Sequence, residues 1–182
     1  MSADYHFVTS WNVQGTIEEV ADILEDVDAL AIWWPSVYLD VRILKPGDEK
    51  GLGKVVSLFT KGWLPYTLRW SFEVIESHCP HGFKIRASGD FDGIGEWKLT
   101  QRGDIAGVIY DWRIRADKPL LKVLSPILKP LFGANHHWAM NEGFKNLQLE
   151  LRRRRGEENV PLPSSPTWPH RSQGTKTNRQ AV

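Results

Sequence analysis

From residue 66 to residue 115 the chain alternates apolar and polar side chains almost without a break, and that pattern commits it to an antiparallel sheet. Tyr66, Leu68, Trp70, Phe72 and Val74 fall on one side of the first run, with Thr67, Arg69, Ser71 and Glu73 on the other. Successive side chains of a strand point to opposite faces, so this is a strand with one face buried. His78, Cys79, Pro80, His81 and Gly82 supply turn chemistry. A second run then sets Phe83, Ile85 and Ala87 against Lys84, Arg86 and Ser88. After Gly89 and Asp90 a third run sets Phe91, Gly93, Gly95, Trp97 and Leu99 against Asp92, Ile94, Glu96 and Lys98. Arg102, Gly103 and Asp104 turn the chain into a fourth, with Ala106, Val108, Tyr110, Trp112 and Ile114 on its apolar side. Four strands joined by short turns make a meander with one apolar face.

That face needs a cover, and the flanking segments can supply it. Residues 37–44 and 53–60 fit weaker strands, and residues 5–13 fit an edge strand. Thr16 followed by Glu18 and Glu19 reads as an N-cap with an acidic first turn, opening a helix through Val20, Ile23 and Leu24. A second short helix is expected over 27–33, ending before Pro35. A long helix is expected over about 119–154, its first half kinked or broken at Pro126 and Pro130. In its second half His136, Met140, Phe144, Leu147 and Leu151 recur at helical spacing on one face. Gly143 beside that stripe would permit close approach to the sheet. Arg152 to Arg155 read as a cationic helix end favoured by the helix dipole. Helices packed on one face of an antiparallel sheet give an α+β architecture.

Composition narrows the function classes. Lysine plus arginine (23) nearly balance aspartate plus glutamate (22), which gives no general reason to expect nucleic acid or an anionic membrane as partner. The longest apolar runs are too short to span a bilayer, so no stable membrane insertion is expected. Cys79 is the only cysteine and no secretory signal is visible, so a reducing, cytoplasmic setting is expected. From residue 156 onward, Pro161, Pro163, Pro166 and Pro169 are interleaved with serine. Such a stretch is expected to be a disordered tail, leaving residues 1–155 as the folded domain and 156–182 outside it. Deleting it should then leave the melting temperature nearly unchanged. Nine tryptophans imply either a large aromatic core or rings that line a cavity.

The order of elements and several local matches resemble the START-like, or SRPBCC, superfamily, and within it the bacterial polyketide cyclase/dehydrase-like members. The matches are Trp33, Trp34 and Pro35; the stretch 62–70; the stretch 89–97; Tyr110, Asp111 and Trp112; and the stretch 135–140. The resemblance covers residues 5–154. It implies a helix-grip fold: a curved antiparallel β-sheet wrapped around a long C-terminal helix, with two short helices after the first strand. It also implies an internal apolar cavity. The superfamily shares a cavity rather than a catalytic set, so the fold does not fix a reaction.

In such a fold the cavity-lining candidates are Tyr66, Trp70, Phe72, Phe83, Phe91, Trp97, Tyr110, Trp112, Met140 and Phe144, unless these rings simply fill the core. His136, on the inward stripe, is either a general acid/base for a bound enol or ketone or a structural histidine, with Asn135 as its helix cap. Asp92 and Glu96 read as an exposed acidic strand, with Asp90 near the mouth. His78, Cys79 and His81 are too compressed for a standard zinc spacing, and no metal or other cofactor is expected. No phosphate loop, nucleophile elbow or His-Glu-x-x-His motif is present. Gly93 and Gly95 read as marking a bend of the sheet. Three functions remain open. The leading one is binding of a hydrophobic small molecule such as a lipid, isoprenoid or polyketide. The second is a cyclase/aromatase/dehydratase-type enzyme using His136, and the third a partner-binding domain with a filled core. The lack of a convergent catalytic set favours binding.

Overall fold

A computed structural model of the chain describes residues 3–116 and 119–167. Strand β1 (Ala3–Gln14) leads into α1 (Ile17–Glu25), a 3-10 turn at Val27–Ala29 and α2 (Leu30–Trp33). Strands β2 (Tyr38–Lys45), β3 (Val55–Lys61), β4 (Thr67–Ser77), β5 (Gly82–Gly89), β6 (Asp92–Arg102) and β7 (Ile105–Ala116) follow, and helix α3 (Pro119–Arg154) closes the order. The seven strands form one antiparallel sheet in the order β1-β7-β6-β5-β4-β3-β2. β1 is therefore an edge strand, paired with the last strand rather than with its sequence neighbour.

Register keeps the apolar sides together. Phe7 lies opposite Trp112, Trp112 opposite Gly95, Gly95 opposite Ile85, Ala87 opposite Phe72, and Phe72 opposite Val56. A slip of one residue anywhere would turn one of these sets to solvent, so the buried face fixes the pairing. On that face lie α1, α2 and the second half of α3, and Val13, Val20, Ile23, Trp33, Val56, Val108 and Leu147 are fully buried among them. This is the α+β helix-grip arrangement.

Local chemistry accounts for the covering helices. Thr16 Oγ1 accepts from the Glu19 N–H (3.3 Å), and the Glu19 carboxylate accepts from the Thr16 N–H (2.9 Å), a reciprocal capping box. The same carboxylate accepts from Arg155 at the end of α3 (2.8 Å), while Arg154 donates to Asp26 (2.7 Å). The basic helix end thus ties α3 to the two ends of α1. The guanidinium of Arg155, aided by the Thr16 backbone, holds the Glu19 carboxyl down at about 2.

Three local expectations are corrected. Helix α3 continues across Pro126 and Pro130, so of the kink or break expected there the break does not occur: each proline removes one backbone donor, and the turns on either side carry the helix past it. Gly143 admits Trp34, beside α2, rather than the sheet: a Cβ there would lie 2.2 Å from Trp34 Cζ2. Asn135 sits within α3 and caps nothing. Its Oδ1 accepts from the Leu64 N–H (3.2 Å) and so fastens the β3–β4 connection to the helix.

Past Arg154 the chain doubles back along α3. Arg153 donates to the Pro161 carbonyl (2.7 Å), and the Ser164 N–H donates to Oδ1 of Asn146 (3.3 Å), a residue almost fully buried. The first part of the segment assigned to the tail therefore touches the domain through these two bonds and through the Arg152–Glu157 ion pair. Residues 168–182, with Trp168 and Pro169 among them, lie outside the described residues.

Candidate functional site

The concave face carries a continuous layer of rings. Phe83 meets Trp97 at 6.3 Å between centroids, Trp97 stacks on Tyr110 at 4.1 Å, and Tyr110 stacks on Trp112 at 5.6 Å. Phe91 meets Trp112 edge-on at 5.7 Å and Trp70 at 5.0 Å, and Trp70 reaches Phe72 at 6.2 Å. Gly95 makes this possible. A Cβ there would stand 2.8 Å from both the Tyr110 hydroxyl and Trp112 Cε3, so only glycine lets the two β7 rings lie across β6. The period-2 glycine in the sequence is thus room for rings.

Between the ring layer and the helices runs a crevice of about 90 Å³. Trp70, Phe72, Phe83, Trp97 and Tyr110 form its sheet side, Met140 its α3 side, and Leu24, Val27, Leu30 and Trp34 its α1–α2 side. Lys50, Gly51, Lys54 and Ser77 stand at its rim. This is far below the ~300–1,000 Å³ of most small-molecule pockets. The rings occupy most of the space between sheet and helix.

Six of the ten residues expected to line a cavity therefore share its wall. Phe91 and Trp112 form a second row behind Trp70 and Tyr110. Phe144 packs on Trp11 at 5.9 Å, away from the crevice. Tyr66 lies one residue before β4, where its N–H closes a tight turn onto the Leu64 carbonyl (2.8 Å). Strand alternation does not reach it, and its ring sits against Phe132 at 6.1 Å.

His136 points inward as the helical spacing requires, but onto β1. Its ring stacks on Phe7 at 4.3 Å, and Nε2 is buried with no partner among the described residues. Loss of water, reinforced by neighbouring His137, lowers its pKa to about 4, so the imidazole is neutral at neutral pH. It does not line the crevice. The acidic residues also face elsewhere. Asp90 Oδ2 accepts from the Arg69 N–H (2.9 Å) at a strand corner, Glu96 pairs with Lys98 (3.1 Å), and Asp92 is exposed. Among the described residues no three His, Cys, Asp or Glu side chains converge as a metal site.

Apart from Trp70 and Tyr110, the polar members of the crevice are residues that sequence reasoning did not single out. Glu25 ends α1 with Oε1 buried and without a partner among the described residues. Burial pushes its carboxyl pKa up, against a hydrogen bond from the Cys79 thiol and the charge of Lys54. Partial desolvation, with Glu25 beside it, in turn raises the thiol of the exposed Cys79 to about 11, which makes it a poor nucleophile. Burial raises the phenols of Tyr38 and Tyr110 as well, and each therefore stays protonated. Trp70 is satisfied, its Nε1 donating to Thr60 Oγ1 (3.0 Å).

A larger hollow of about 430 Å³ lies between α3 and the end of β1. It contains no aromatic ring, and its charged members are already engaged: Lys145 with Glu142, Arg152 with Glu157 and Arg155 with Glu19. The crevice, smaller but walled by ring faces with a few polar groups, has the composition of a ligand site.

No protein-family model matches the chain, and no curated protein sequence matches it. Solved structures do. The chain is similar to the Zhui aromatase/cyclase from Streptomyces sp. R1128, at 18% identity and a TM-score of 0.65 over 83% of this chain and 95% of that one. It is similar to a START superfamily protein from Mycobacterium smegmatis, at 17% identity and a TM-score of 0.63 over 81% and 97%. It is similar to norcoclaurine synthase from Thalictrum flavum, at 15% identity and a TM-score of 0.55 over 82% and 97%. At these identities the likeness is one of fold.

Proposed function

We propose that this chain, START-like in fold, binds a small hydrophobic molecule in the crevice between its ring layer and helices α1–α3. The observation that carries the reading is the unbroken layer Phe83–Trp97–Tyr110–Trp112, held open by Gly95 and facing a crevice with few polar groups. Buried aromatic faces with isolated polar groups are what a small apolar ligand needs for affinity and orientation. A lipid, isoprenoid or polyketide fits this chemistry only if part of it remains outside a hollow this narrow. A cytoplasmic setting belongs to the same reading and rests on the lone cysteine.

Catalysis through His136 is the second reading, and a neutral, buried imidazole with a free Nε2 favours it. It requires a ligand long enough to pass Met140 and reach the ring stacked on Phe7. His136→Gln would then keep ligand affinity and remove turnover of a cyclisable poly-β-ketone by about 10²–10⁴-fold.

Binding is tested with a fluorescent naphthalene-sulfonate or fatty-acid probe and the folded protein. Dissociation constants in the micromolar range, weakened by Phe83→Ala, are expected, on the order of those for a small ligand in an apolar site. Native protein that ignores a broad panel of such probes would contradict the reading and leave a domain whose core is filled.

A further inference from the structure

Resting on that reading, we infer that the crevice selects a single aromatic ring bearing a neutral hydroxyl, a phenol or its enol counterpart, with the Glu25 carboxyl as the acceptor. Glu25 breaks two local rules at once. It is the last residue of α1, where the unpaired carbonyls of the helix end disfavour a negative charge, and no basic residue stands in that last turn. Its Oε1 is also cut off from water with no partner among the described residues, while the rest of the Glu25 side chain walls the crevice, so that a turn of the carboxyl presents it to a ligand. An unpaired buried acceptor costs about 1–3 kcal/mol, and such departures from local consistency concentrate where a ligand completes them. The bond that the carboxyl does make comes from the Cys79 thiol, a weak donor.

The surroundings narrow the donor. Lys50 and Lys54 line the same crevice, so an ammonium ligand would meet two like charges on entering. An anionic head would be held by the two lysines at the rim and repelled by the Glu25 carboxyl, so it would not complete Oε1. A neutral O–H avoids both and supplies the missing hydrogen. The walls narrow the carrier: Phe83, Trp97 and Tyr110 present flat faces, and about 90 Å³, below the ~150 Å³ of a cavity that takes benzene, leaves room for one small ring at most and none for a fused system or an acyl chain.

The test uses p-cresol and p-xylene, equal in shape and differing by a hydroxyl for a methyl. Each is titrated into the full chain while the indole N–H signals of Trp34, Trp70 and Trp97 are followed by NMR. Both should bind. The ratio of the p-xylene to the p-cresol dissociation constant should fall about tenfold or more on Glu25→Leu, the size of a lost hydrogen bond to a carboxylate. With Glu25→Gln, which keeps a neutral acceptor and the side-chain shape, the fall should be about threefold. A ratio unchanged in the variants, or wild-type protein that takes p-xylene but not p-cresol, overturns the role of Glu25 and leaves the crevice as an apolar site. Wild-type protein that binds neither ligand overturns this inference and the proposed function together.

Discussion

Replacing Gly143 by alanine should destabilise this protein, although in an ordinary helix the same change stabilises. Glycine inside a helix costs about 1 kcal/mol relative to alanine, so propensity alone predicts a gain of that size. At position 143 the added methyl would stand 2.2, 2.5 and 2.6 Å from Cζ2, Cη2 and Cε2 of Trp34. Each distance is about 1 Å or more short of the ~3.5–4.0 Å at which carbon atoms pack. Trp34 is only 3% exposed and lies against Trp33 and Trp11, so its ring has nowhere to retreat. Overpacking of this kind costs ~1–3 kcal/mol, and three short contacts with an immobile ring place it at the upper end. The net expectation is a loss of about 2 kcal/mol. Gly133, in the same helix, is the control. A Cβ there meets only Phe7 Cε1, at 3.9 Å, so Gly133→Ala should gain about 0.5–1 kcal/mol. Urea unfolding of both variants, read by circular dichroism, reports the two free energies. If Gly143→Ala is as stable as Gly133→Ala, the packing of Trp34 on α3 is not as described.

Two further predictions follow from titration and from the returning chain. The His136 pKa of about 4, below its ordinary 6.5, means that the folded state binds fewer protons between those values. Stability is then full above pH 6.5 and falls by up to roughly 3 kcal/mol as pH drops toward 4. The difference in unfolding free energy between wild type and His136→Gln should shrink over that window, and curves that stay parallel would show the imidazole to be exposed. Truncation after Gly156 removes the Pro161 carbonyl bound by Arg153, the Ser164 N–H bound to Asn146 and the Glu157 partner of Arg152, and should cost about 1–2 kcal/mol, at ~1 kcal/mol for each of the first two bonds and little for the exposed ion pair. A melting temperature within a degree of the full chain would show that the returning segment contributes nothing.

Much of the fold can be read from the sequence because its signals are local. The alternation in β4 to β7, the Thr16 cap and the end of α2 before Pro35 each depend on neighbours a few residues away. Five of the ten cavity candidates meet for the same reason, since strand parity puts Trp70, Phe72, Phe83, Trp97 and Tyr110 on one face, and helical spacing adds Met140. Parity misleads where the strand stops: Tyr66 is turned away by the tight bond to Leu64. The rest is long-range. Gly143 signals a close approach without naming Trp34 as its partner, and Asn135 resembles a cap because nothing nearby announces Leu64. Glu25, Tyr38 and Lys54 come from α1, β2 and the β2–β3 connection, and only the packed sheet brings them to one crevice. Glu25 alone carried a local hint, an unneutralised acid in the last turn of an amphipathic helix.

Where a bound ring sits decides between the crevice and the hollow outside α3. Intermolecular nuclear Overhauser effects between p-cresol and the protein would give it. Contacts to the side chains of Phe83, Trp97, Tyr110 and Met140 are expected. Contacts confined to Val13, Leu149 and Leu151, in the larger hollow beside α3, would contradict the account and move the site to the outside of the helix.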